Sequence, residues 1–167
     1  MEFGTLALND AILKGLADEN YTSPTPIQAQ TIPIVLDRKD VIASAQTGTG
    51  KTAAFALPIL QILFNSQDTV RRGQNIKALI VSPTRELAEQ INESFKAYGK
   101  YTNLRTGVVY GGTAIEPQIE RLNKGVDILI ATPGRLLDLV KQNNAKLGKV
   151  EVLVLDEADL LLDIRIH

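Results

Sequence analysis

Five short runs dominated by Val, Ile and Leu, at residues 41–44, 78–82, 106–110, 127–131 and 150–155, constrain this chain more than any other feature. They lack the polar alternation of a half-exposed strand. Continuous apolarity implies burial on both faces, as in a parallel sheet held between helices. The segments between them carry helical periodicity at 53–64, 86–98, 114–123 and 134–141. In the last of these Thr132 is placed as N-cap and Pro133 as first helical residue. Strand and helix alternate throughout, so the expected fold class is α/β, a parallel sheet sandwiched by helices with right-handed crossovers.

Two further helices are expected ahead of the first strand. Asn9 or Asp10 caps one over 11–19, and Pro26 opens another through about residue 36, with a bend at Pro33. Between them Tyr21-Thr22-Ser23-Pro24-Thr25-Pro26 reads as an extended, rigid turn. Residues 65–75, with Arg71-Arg72-Gly73, read as an exposed loop whose basic pair is solvated.

Composition narrows the chemistry. With 167 residues, 44% hydrophobic and 22% charged, the chain fits one globular domain. A net charge of −1 argues against a polyanion surface built on bulk charge, while leaving room for a few placed donors. Cysteine is absent and the one histidine is His167, so zinc-thiolate sites, thiol catalysis and a His-based triad are excluded. No apolar stretch reaches membrane-spanning length, and a soluble, cytoplasmic protein is the expectation.

Two segments carry chemistry. Ala45-Gln46-Thr47-Gly48-Thr49-Gly50-Lys51-Thr52 has the residue types of a phosphate-cradling loop. Gly48 and Gly50 let the backbone aim successive N–H groups at an anion, and the helix that follows adds its positive end. Lys51 would reach the β- and γ-phosphates and Thr52 would place a hydroxyl on Mg²⁺; Ala45 stands where the strict pattern has Gly. Far downstream, Asp156-Glu157-Ala158-Asp159 follows the last apolar run. Asp156 would bind Mg²⁺ and Glu157 would orient the attacking water. Both segments lie at carboxyl ends of strands, where such sheets bind ligands. Together they imply a nucleoside triphosphate and Mg²⁺, with Lys51, Asp156 and Glu157 catalytic and Thr52 and Asp156 at the metal.

At this point the chain resembles the first RecA-like domain of the DEAD-box ATP-dependent RNA helicases, from Phe3 to about Asp163. Tyr21-Thr22-Ser23-Pro24-Thr25-Pro26-Ile27-Gln28 resembles the family's adenine-reading segment, which implies nucleotide contacts from Tyr21, Thr25 and Gln28 and stacking by Phe3. The amide of Gln28 suits N6 and N7 of adenine. Asn20 stands where the family usually has Gly. The resemblance further implies RNA-backbone contacts, insensitive to sequence, from Pro83, Thr84 and Arg85, from Gly111 and Gly112, and from Thr132, Pro133, Gly134 and Arg135. Asp159 would tie the ATP site to neighbouring loops. It implies residues 1–38 as a helical extension carrying the adenine-reading segment and residues 39–167 as a partial RecA-like P-loop NTPase domain.

The chain departs from the family after Asp163. A Met-Gly-Phe-like segment is usual there, whereas this chain reads Ile164-Arg165-Ile166-His167. A Ser-Ala-Thr strand and a second RecA-like domain are absent. In this fold the Ser-Ala-Thr strand lies between the phosphate-loop strand and the acidic strand. The expectation is therefore a truncated chain whose sheet has a gap in its middle, prone to self-association, with weak ATP binding and no useful unwinding. Two alternatives stand beside this reading: a non-catalytic RNA- or partner-binding fragment, and another kind of P-loop ATPase.

Overall fold

The structure, a computed structural model, describes residues 2–44, 50–66, 75–157 and 161–167. A 3-10 turn at Phe3–Leu6 precedes α1 (Asp10–Asp18) and α2 (Pro26–Leu36). Then follow β1 (Val41–Ala43), α3 (Lys51–Asn65), β2 (Ala78–Val81), α4 (Arg85–Tyr98), β3 (Thr106–Val109), α5 (Glu116–Lys124), β4 (Ile128–Ala131), α6 (Pro133–Lys141), β5 (Val152–Glu157) and β6 (Leu161–Ile166). Each expected strand and helix is present within a few residues. The phosphate-loop residues Ala45 to Thr49, the Arg71-Arg72-Gly73 loop and Asp159 lie outside the described residues.

Among the described residues the strands form one sheet in the order β1-β6-β5-β2-β4-β3. The pairs β2–β4, β2–β5 and β3–β4 are parallel, as expected of twice-buried strands. Alternate residues face opposite layers. Ala78, Ile80, Ile128, Ile130, Val152 and Val154 pack beneath α1 to α4, and Leu79, Leu129 and Ala131 beneath α5 and α6. Residues of α1 and α2 share the first of these cores with the strands. The start of α1 is tied to α3, where the Asn9 backbone N–H donates to Gln61 Oε1 at 2.6 Å. Asn20, in place of the family's usual Gly, holds φ +61°, the left-handed conformation Asn tolerates better than most residues, so the turn before Tyr21 is made.

The expected gap is not there. Strand β6 fills it, antiparallel to both β1 and β5, so the sheet is mixed rather than wholly parallel. The inner edges on which self-association was expected are paired within the chain. The cause is visible in the residues themselves. Leu162, Ile164 and Ile166 alternate with Asp163 and Arg165, the period-two pattern of a strand with one buried face. Leu162 and Ile164 are fully buried, each contributing about 1.5–3 kcal/mol of apolar transfer. On the other face Arg165 Nε donates to Asp163 Oδ1 at 2.7 Å, and the end of β6 is held where Ile166 N–H donates to Asp40 Oδ1 at 2.8 Å.

Candidate functional site

The carboxyl ends of the strands gather the residues singled out from sequence. Asp156 and Glu157 are the last two residues of β5, Asp156 buried and Glu157 exposed. Lys51 opens α3, and its Nζ lies 2.6 Å from Asp156 Oδ1, with side chains only 11% and 2% exposed. A charge-assisted contact this short and shielded joins the start of α3 to the end of β5. Thr52 follows on the first turn of α3 and is partly exposed.

The segment from Tyr21 to Gln28 is locked to the same place. Thr25 caps α2, and Gln28 closes a capping box with it: Thr25 N–H donates to Gln28 Oε1 at 3.0 Å, and Gln28 N–H to Thr25 Oγ1 at 3.5 Å. Gln28 Nε2 then donates to the Gly50 carbonyl at 3.0 Å. Gly50 has φ +79°, and a Cβ there would sit 2.2 Å from Gln28 Nε2, so both the turn and the approach of Gln28 require glycine. Each end of the Gln28 amide keeps one further hydrogen-bonding position, since the oxygen accepts two bonds and the NH₂ donates two. The short 3-10 turn directs Phe3 and Leu6 inward, and Phe3, 4% exposed, packs among the core residues beneath α1 to α4. Tyr21, 50% exposed and edge-on to the Tyr98 ring, is the aromatic of this region with free surface.

A cleft of about 430 Å³ is lined by Val81, Pro83, Pro133, Leu155, Asp156 and Glu157. It brings the acidic pair next to the starts of α4 and α6. Thr84 caps α4, accepting from Leu87 N–H at 3.2 Å. Thr132 occupies the N-cap of α6 without a capping bond from its side chain, and Gly134 has open space around it. Gly111 and Gly112 are exposed, and a Cβ on either would meet nothing within 4 Å; Gly112 has φ +79°. Two basic residues are oriented by neighbours that carried no signal in the sequence. Arg135 donates to Gln118 Oε1 at 3.0 Å and to the Thr113 carbonyl at 2.9 Å, while Gln118 Nε2 donates to the Tyr110 carbonyl at 3.1 Å. Arg85 lies over the Tyr110 ring, 4.6 Å from its centroid. The Tyr110 phenol, hydrogen-bonded to Glu89, is held above the usual tyrosine range. Gln118 reads in sequence as one polar residue on an amphipathic helix, so only tertiary structure reveals it.

The donor set suits a metal held chiefly by a ligand's own phosphates. No group of three or more His, Cys, Asp or Glu that could hold a metal occurs among the described residues. A single carboxylate, Asp156, beside a lysine and a threonine hydroxyl fits Mg²⁺, which keeps most of its shell as phosphate oxygens and water. No helix among the described residues is long and apolar enough to cross a membrane.

Comparison with known proteins follows this geometry. The family model of DEAD/DEAH box helicases matches residues 25–166. The chain is 50% identical over 163 residues to the ATP-dependent RNA helicase CshA of Limosilactobacillus reuteri, covering 98% of this chain and 32% of that protein. It is 47% identical over 161 residues to the DEAD-box ATP-dependent RNA helicase RhpA of Helicobacter pylori, covering 96% and 31%. The chain thus spans about a third of the curated relatives it matches. A solved DEAD box protein from Methanococcus jannaschii superposes with a TM-score of 0.84 at 39% identity, covering 95% of this chain and 42% of that one.

Proposed function

Because the chain belongs to the DEAD/DEAH box helicase family, we propose that these 167 residues bind ATP with Mg²⁺ and the backbone of RNA, as the nucleotide-binding part of an ATP-dependent RNA helicase. The observation that carries the reading is the 2.6 Å Lys51–Asp156 contact beside a cleft that also reaches Pro83 and Pro133. Nucleotide and RNA groups then meet at one end of one sheet. Residues 1–38 hold the adenine-reading segment and residues 39–167 the phosphate and RNA contacts.

In this reading Lys51 releases Asp156 and takes the β- and γ-phosphates, and the amide of Gln28 selects adenine through its two remaining positions. Asp156 and Thr52 would hold Mg²⁺, which when bound neutralises charge on the phosphates. Glu157, exposed at the cleft, orients water for attack. Gly111, Gly112, Gly134 and the starts of α4 and α6 offer backbone N–H groups to RNA phosphates, with Arg85 and Arg135 beside them. Weak turnover without strand separation is proposed for these residues alone, because unwinding needs a two-state element that both ligands bias, and the described residues form a single sheet.

The RNA half is tested by measuring the affinity of the chain for single-stranded homopolymers as salt is varied. Arg135→Ala is expected to weaken every sequence by a similar factor and to lower the salt slope by about 1. A loss confined to one base would count against backbone recognition.

A further inference from the structure

We propose that β6 is the spacer that sets where Asp156 on β5 stands relative to β1 and to Lys51, with Leu162 as its positioning residue. The proposal rests on the ATP-site reading above. Its basis is the strand register. Leu162 pairs with Ala43 on one side and with Asp156 on the other. Ala43 is the last residue of β1, just before the phosphate-loop segment, and Asp156 carries the metal carboxylate. One residue's backbone therefore lies directly between the two halves of the site. Two inter-strand spacings hold β1 and β5 about 9.6 Å apart. Lys51 opens α3, eight residues beyond Ala43, and its Nζ meets Asp156 Oδ1 at 2.6 Å.

The register is fixed from both faces. Leu162 and Ile164 are fully buried beneath α1 to α4, while Asp163 and Arg165 pair with each other on the opposite face. A slip of one residue would drive the Asp163 carboxylate and Arg165 into the core and turn Leu162 out. β6 thus has one seating, and that seating sets where Asp156 stands relative to Lys51. A ligand that needs both groups at that separation binds only the seated form, so by linkage it must in turn stabilise the seating.

The test compares two truncations of equal burial in the intact 167-residue chain, Leu162→Ala and Ile164→Ala. Ile164 pairs with Val41 and Val154, one step further from the site. Both should lower the melting temperature by similar amounts. Titrated with Mg·ATP at a temperature where both are folded by circular dichroism, Leu162→Ala should weaken binding about tenfold and Ile164→Ala less than about threefold, with Leu162→Met restoring affinity. In the unsubstituted chain, saturating Mg·ATP should slow hydrogen exchange of the β6 amides and leave those of β3 unchanged. That measurement decides the matter alone if Leu162→Ala does not fold. Equal affinities in the two variants, or β6 exchange unmoved by nucleotide, would overturn the spacer. If Lys51→Ala abolishes binding while Leu162→Ala leaves it intact, only the spacer fails; an unsubstituted chain that binds no nucleotide overturns both readings.

Discussion

Replacing Gly50 by Ala probes how Gln28 is coupled to the start of α3. The substitution acts in two separable ways. Holding a Cβ-bearing residue at φ +79° costs about 1–2 kcal/mol. The new Cβ would also sit 2.2 Å from Gln28 Nε2 and 3.2 Å from Thr25 Oγ1, so the Gln28 side chain must leave. Its departure breaks the 3.0 Å bond to the Gly50 carbonyl and loosens the capping box, together about 1–2 kcal/mol. The expected total is about 2–4 kcal/mol. Urea unfolding of a double-mutant cycle separates the parts. In a Gln28→Ala background the clash is gone, and Gly50→Ala should cost only the backbone strain. The coupling energy should therefore be about 1–2 kcal/mol. Strictly additive costs would refute the reasoning, because they would mean that Gln28 does not occupy the space beside Gly50.

Two further outcomes follow from packing and charge. Gly15→Ala would bring a Cβ within 2.4 Å of the Tyr98 carbonyl where α1 crosses α4, and thermal unfolding should register a loss of about 1–3 kcal/mol. Asp18 is held below the usual carboxylate range, first by its bond from Lys100 at 2.7 Å and then by the Tyr101 hydroxyl. A depressed folded pKa gives stability that is present above the unfolded value and lost as pH falls through the folded one. Acid titration of unfolding should therefore show a loss below about pH 4 that Asp18→Asn reduces.

How much of this was legible in the sequence depended on whether a signal was local. The runs at 78–82 and 127–131 announced strands because burial on both faces leaves no other pattern, and Thr132-Pro133 announced a helix start for reasons contained in two residues. Lys51 and Asp156 stood out through the residue types around them, and the structure brings them into contact although 105 positions separate them. β6 was legible in principle, since Leu162, Ile164 and Ile166 alternate with charged residues. Its antiparallel direction follows from the three residues between Glu157 and Leu161, too few for the crossover that a parallel neighbour needs. Gln118 was illegible for the opposite reason, since an amide on α5 gains its role only when Arg135 arrives from α6.

The most direct test of the central claim is calorimetric titration of the 167-residue chain with Mg·ATP and Mg·GTP, alongside Lys51→Ala. Lys51 meets Asp156 at 2.6 Å beside Gly50 and Gln28, so the chain should bind ATP in preference to GTP, and Lys51→Ala should weaken ATP at least about tenfold. Equal affinity for the two nucleotides together with no effect of Lys51→Ala would contradict it.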